Sequence, residues 1–147
     1  RELILFLQKQ QILNKEIESF DFQSGGEASS NLKNILRKLG VPSQIVRKTA
    51  IITYELEMNV VIHSVGGEIT ALISEDELEI RVDDSGPGIK DLDKAFTAGY
   101  STASNEIREM GFGAGMGLVN VKRYADQVDV ESSKEDGTHV KVIINLK

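Results

Sequence analysis

Glu55 and Asn59 stand four residues apart in the stretch "ELEMN". At about 100° per residue a helix carries them on one stripe, with His63 a further turn along. On that projection Ile51, Ile52, Met58 and Ile62 fall within roughly 60° of Glu55, so a carboxylate and an amide sit inside the apolar face. Glu57 points away and reads as a solvated surface residue. The competing reading is a helix buried all round, with Glu55 in a structural hydrogen bond. Buried acids are costly unless paired, which favours a glutamate that does chemistry. A general base one turn from an amide oxygen suited to Mg²⁺ is the chemistry this spacing offers.

Two further stretches carry functional residue types. "DDSGPGI", residues 83–89, follows a strand-like segment. Taken alone it is equally a plain turn, since Ser-Gly-Pro-Gly is turn chemistry. As a site, Asp84 leaves the strand end facing a cavity, where its carboxylate accepts an exocyclic amine, and Gly86 and Gly88 let a flat ring approach the backbone. In "GFGAGMGLVNVKR", residues 111–123, Gly113, Gly115 and Gly117 alternate and run into a helical pattern through Leu118, Val119 and Val121. Free backbone N–H groups at a helix start suit phosphate oxygens. The G-K-[ST] ending of a Walker loop is absent, and no strand immediately precedes the run as a dinucleotide fingerprint requires. A mobile linker, the bland alternative, does not need G-x-G-x-G at a helix start.

The elements that must position these residues follow from periodicity. Residues 1–22 read as one or two strands. Leu32, Ile35, Leu36 and Leu39 recur at helical spacing from Glu27, and Gly40 stands where a helix C-terminal glycine belongs. After "VPSQ", with Ser43 as N-cap, a second helix runs to about His63 and "VGGE" breaks it. "EITALIS" and "ELEIRVDD" alternate around "EDE" as a hairpin, and "QVDVESS" and "THVKVIINL" form a closing one. A short helix is predicted near Asp91–Phe96 and another from about Gly117 to Asp126. The pattern predicts an α+β sandwich, with helices on one face of a mixed, mainly antiparallel sheet.

Composition bounds the rest. The 147 residues suffice for one core and suggest a single domain over 1–147, the role of residues 1–22 being undefined. A net charge of -6 argues against nucleic-acid binding. No apolar run approaches the ~18–20 residues of a membrane span, and there is no signal-peptide pattern, so the cytoplasm is the expected location. With no cysteine and only His63 and His139 as imidazoles, neither disulfides nor a zinc site is expected. The chain opens on Arg1 rather than methionine.

A base and metal ligand on a helix, an aspartate with glycines after a strand, and a glycine-rich helix start occur here in that order. The combination resembles the GHKL ATP-binding superfamily of gyrase, chaperone, mismatch-repair and histidine-kinase ATPase domains. "ELEMN" matches its N box, "DSGPG" its first glycine box and "GAGMGLVNVK" its second. "DGTHVKVII" places Thr138 at the superfamily's late threonine near the adenine and its aspartate. The resemblance covers about residues 26–146 and implies the Bergerat α/β sandwich, with ATP and Mg²⁺ as cofactors. Within the superfamily the chain looks most like the small anti-sigma factors and switch serine-protein kinases of bacterial partner-switching systems. "AGYSTAS" and "GAGMGLVNVKRYAD" carry that likeness.

By residue, the resemblance gives Glu55 the part of general base toward a protein serine and Asn59 that of Mg²⁺ ligand. Asp84 accepts the adenine amine, with Gly86 and Gly88 lining the base and Thr138 nearby. Gly113, Gly115 and Gly117 lie over the phosphates, and Ala114, Met116 and Leu118 belong to the same loop. Ser101 and Thr102 fall in the lid, as phosphate contacts. Lys122 reads as a surface cation and His63 as a packed residue. The implied function is a serine-protein kinase acting on a STAS-domain partner. The alternatives are an anti-sigma factor that sequesters a sigma factor, and an ATPase or nucleotide sensor without protein phosphorylation. A homodimer is compatible with the resemblance; nucleic acid and membrane are not expected partners. No helix with a phosphorylatable histidine precedes Glu27, so a sensor histidine kinase is not expected.

Overall fold

The computed structural model describes residues 8–18, 20–63, 66–84, 117–133 and 137–147. The helix expected near Asp91–Phe96 lies outside them. In chain order the elements are β1 (Gln10–Ile17), α1 (Glu27–Lys38), α2 (Ser43–His63), β2 (Gly67–Ile73), β3 (Glu77–Asp84), α3 (Gly117–Tyr124), β4 (Gln127–Ser133) and β5 (Gly137–Asn145). The strands form one sheet in the order β1-β2-β3-β5-β4. Every described pairing is antiparallel, so the mixed sheet expected from sequence is antiparallel throughout the described strands.

Alternation builds the core. Leu78, Ile80 and Val82 of β3 are buried, and they align in register with Ile144, Val142 and Val140 of β5. Ile69 and Ala71 of β2 extend the same rows. Three helices cover this face, and α2 packs against both α1 and α3. On the opposite face Glu79 is buried, ion-paired with Lys9 at 2.6 Å and with the Arg81 guanidinium. Burial alone raises its pKa, but the hydrogen bonds from Lys9 and Arg81 outweigh it and leave the carboxyl below its ordinary range.

The ends of α1 and α2 show local sequence at work. Gly40, at φ 78°, terminates α1. Its N–H reaches Arg37 O at 3.1 Å and the Val41 N–H reaches Leu36 O at 3.1 Å, the paired bonds of a Schellman motif. At the start of α2 the expected N-cap is displaced. The Pro42 carbonyl accepts the N–H groups of Ile45 and Val46, each at 3.0 Å, so Pro42 holds the cap position and Ser43 is already helical.

Candidate functional site

α2 contains many β-branched residues, which are mediocre helix formers. What sustains it is burial: Val46, Ile52, Leu56, Val60 and Val61 are each at most 2% exposed. Because α1 and α3 both pack on it, the helix has more than one inward side. Glu55 faces α3, is half-buried, and its Oε1 lies 3.5 Å from the Asn120 side-chain nitrogen. Burial raises its pKa above the usual carboxylate value, and the Asn120 amide donor offsets only part of that. Asn59, one turn further, is also half-buried. A half-buried carboxylate with a raised proton affinity has the properties of a general base.

Glu57 is the correction. The single-face projection leaves it in solvent, yet it is 1% exposed. Its carboxylate accepts the backbone N–H of Ala28 at 3.1 Å and of Ser29 at 3.3 Å, and Lys15 Nζ lies 3.7 Å away. Those two amides open α1, whose cap residue Gly26 has no side chain to satisfy them. Glu57 therefore caps α1 from the neighbouring helix, placing an anion where the helix dipole favours one. Ser29 Oγ adds a bond to Ala50 O at 2.8 Å, tying the same two helices together.

Asp84 is the last residue of β3 and continues the helix-facing series Leu78, Ile80, Val82. The inner face of the sheet thus turns from apolar to polar at one end. Asp84 lies in register with Thr138 on one side and Gly67 on the other. The Thr138 N–H donates to Asp84 Oδ1 at 3.2 Å, and Thr138 is buried. A Cβ on Gly67 would stand 2.7 Å from Asp83 O and 3.0 Å from Asp84 Cβ, so only glycine lets β2 lie this close to Asp84. On the outer face, His139 Nδ1 and Asp83 Oδ1 pair at 2.7 Å.

The structure therefore joins Asp84 with Thr138 at the sheet end, and sets Glu55 and Asn59 on α2 beside α3. Gly117 opens α3 directly after the glycine run. Leu118 is 7% exposed and its side chain belongs to the core, which leaves its backbone for any ligand. Lys122 is exposed, as expected. Gly86, Gly88, Ser101, Thr102, Gly113, Ala114, Gly115 and Met116 lie outside the described residues. A groove of about 590 Å³ between α1 and α2, lined by Lys33, Arg37 and Arg47 among others, contains none of these site residues. Among the described residues no group of three or more His, Asp or Glu could hold a metal, and no helix is long and apolar enough to cross a membrane.

Residues 46–147, from the first turn of α2 to the last residue, match the family described as histidine kinase-, DNA gyrase B- and HSP90-like ATPase. The chain belongs to this ATPase family. All the described site residues named above fall within the matched span. Among curated relatives, this family member is 35% identical over 92 residues to the anti-sigma F factor of Oceanobacillus iheyensis, covering 58% of this chain and 60% of that one. It is 29% identical over 115 residues to the serine/threonine-protein kinase RsbT of Bacillus subtilis, covering 76% of this chain and 80% of that one. The ATPase-family chain thus spans about 60% of the length of the first of these relatives. Two solved structures share the fold. The SiaB-SiaC complex from Pseudomonas aeruginosa matches at TM-score 0.60 and 10% identity, covering 98% of this chain and 95% of that one. The mycobacterial sensor histidine kinase MprB matches at TM-score 0.53 and 15% identity, covering 90% of this chain and 97% of that one.

Three residues important to the geometry escaped the sequence reading. Asn120 lies inside the second glycine motif, where the helical apolar spacing of its neighbours hides the amide. "VGGE" at Gly67 predicts a helix break, although the doubled glycine before an alternating strand also signals close backbone approach. Glu57 has no single-sequence signal, because its partners are backbone amides distant in the chain.

Proposed function

We propose that this ATPase-family chain is a serine-protein kinase acting on a STAS-domain partner, in which Glu55 takes the proton from the serine hydroxyl. The observation that carries the reading is the half-buried Glu55 carboxylate, with its raised pKa, on the helix that also presents Asn59. The relatives named as RsbT kinase and anti-sigma F factor support it. Asp84 selects adenine, because an ionised carboxylate accepts from the exocyclic amine and repels the acceptor that guanine presents there. The Thr138 N–H donates to Asp84 Oδ1 and so helps fix the carboxylate at the sheet end. Asn59 would hold Mg²⁺, which commonly takes few protein ligands and keeps several waters. ATP supplies the phosphoryl group and Mg²⁺ neutralises its charge when bound. The expected location is the cytoplasm.

The second reading is an anti-sigma factor that holds a sigma factor, favoured by the relatives that carry that name. One experiment separates them. The protein is incubated with labelled ATP and Mg²⁺ together with a purified STAS-domain protein or a purified sigma factor. Phosphotransfer to a serine of the STAS protein, lost in Glu55→Gln with ATP affinity retained, supports the kinase. General-base removal is expected to cost ~10²–10⁴ in rate. Asp84→Asn is expected to lose ATP affinity with the fold intact. A Glu55→Gln protein that phosphorylates at the parent rate refutes the mechanism, and tight sigma-factor binding without phosphotransfer favours the second reading.

A further inference from the structure

α3 is fastened to the core by Leu118 and Val121, at 7% and 0% exposure. Between them stands Asn120, half-buried, with its side-chain nitrogen 3.5 Å from Glu55 Oε1. Packing alone does not call for an amide there. An apolar side chain of similar size would fill the space and spare the desolvation of a polar group. The separation is at the outer limit of a hydrogen bond, and a small movement of either side chain closes it. Such lengths are common in ligand-free sites, where the bonds of a working base tighten only as the reacting complex forms.

We propose that Asn120 is a positioning residue: its amide donates to Glu55 and so orients the carboxylate from the helix that opens at the end of the glycine run. The inference rests on the reading of Glu55 as the base. Two features make the arrangement more than a local contact. Asn120 lies in the first turn of α3, which begins at Gly117. Anything that fixes that first turn therefore also fixes the donor that aims Glu55. And among the described residues the amide donates to Oε1, leaving Oε2 to accept a proton. The base and the glycine-loop helix are thereby coupled through one hydrogen bond rather than set independently.

The test compares the parent, Asn120→Leu, Asn120→Gln and Glu55→Gln as full chains. Phosphotransfer from Mg²⁺-ATP to a purified STAS-domain protein is followed as ADP formed, and the side-chain amide resonances of Asn120 are recorded without nucleotide. Asn120→Leu is expected to lower kcat about 10- to 100-fold, the worth of a hydrogen bond to a charged group, with KM for ATP held within about twofold. Asn120→Gln, whose longer arm keeps the donor, should recover most of that loss. In the ligand-free protein, Glu55→Gln should shift the Asn120 amide protons while leaving those of exposed Asn14 in place. If Asn120→Leu does not fold, Asn120→Ser reads the same split. Parent-like kcat in Asn120→Leu, with Glu55→Gln inactive, overturns the positioning role and leaves the base standing. Equal loss of melting temperature, kcat and KM without rescue by glutamine makes Asn120 a packing residue and also overturns it. A parent that transfers no phosphoryl group to the STAS-domain protein, or a Glu55→Gln that transfers it at the parent rate, removes the base and Asn120's role with it.

Discussion

Replacing Glu57 by alanine should destabilise this protein far more than truncating a solvated glutamate, which usually moves stability by no more than about 0.5 kcal/mol. The carboxylate is 1% exposed and holds the N–H groups of Ala28 and Ser29 at 3.1 and 3.3 Å. Alanine removes the acceptor for both. A hydrogen bond to a charged group contributes about 1.5–3 kcal/mol, and a buried donor left bare costs a comparable amount. Two such donors at the low end give about 3–4 kcal/mol, since water entering the gap recovers part of the larger figure. Lys15 adds little, because its ammonium is 3.7 Å away and already paired with Glu27 at 2.9 Å. With a urea slope of about 2 kcal/mol per molar, the midpoint should fall by about 1.5–2 M. Glu57→Gln keeps one acceptor oxygen and should lose roughly half as much. The assay is equilibrium urea unfolding followed by far-ultraviolet circular dichroism. A shift below about 0.3 M for Glu57→Ala, at unchanged slope, would show that the carboxylate does not hold α1 and would refute the reasoning.

Gly67→Ala should weaken ATP binding severalfold, because the new Cβ stands 2.7 Å from Asp83 O and displaces the strand end that carries Asp84; unchanged affinity by calorimetry rejects the role given to Gly67. Thr53 is fully buried with a hydroxyl that has no hydrogen-bond partner among the described residues. Thr53→Val should therefore stabilise the protein by about 1 kcal/mol, a rise of about 2–4 °C in Tm, and a fall in Tm contradicts the orphaned hydroxyl. Burial raises the Glu55 pKa, so the base stays protonated to a higher pH and activity is lost on the acid side above the ordinary 4.5. A pH-rate limb centred at or below that value disproves the shift. Glu79 is lowered, so its contribution is complete above the unfolded value near 4.5 and is lost as pH falls through the folded pKa. Glu79→Gln should destabilise at pH 7 and converge with the parent in acid, which paired thermal melts across that range will check.

Where a local rule was sufficient, the fold was legible in the residues. The hairpins around "EDE" and "KEDG" follow from alternation along most of each strand, and Gly40 ends α1 where the helical apolar spacing stops. β1 was harder because a register shift between Gln11 and Leu13 breaks its alternation, setting Ile12 and Leu13 side by side. The site was legible where residue type and spacing act together, as at Glu55 with Asn59 and at Asp84 with the glycines after it. It was opaque where the partner comes from elsewhere in the fold. Glu57 was misplaced because one projection assumes one buried face, whereas α2 has a helix on either flank. Ser43 looked like a cap by composition, but the Pro42 carbonyl already held that place.

One contact that orients Asp84 comes from the main-chain N–H of Thr138. Its hold on Asp84 is therefore indifferent to which side chain occupies position 138, provided the nitrogen carries a hydrogen. Random drift there could pass through nearly the whole amino-acid alphabet without losing the orienting bond, proline alone being barred. Whatever restricts that position must then be the hydroxyl's own bonds or the fit of a buried side chain. A saturation library at position 138, sorted first for folding and then for nucleotide retention, would separate those two demands while the main-chain donor to Asp84 stayed present in all but one of its members.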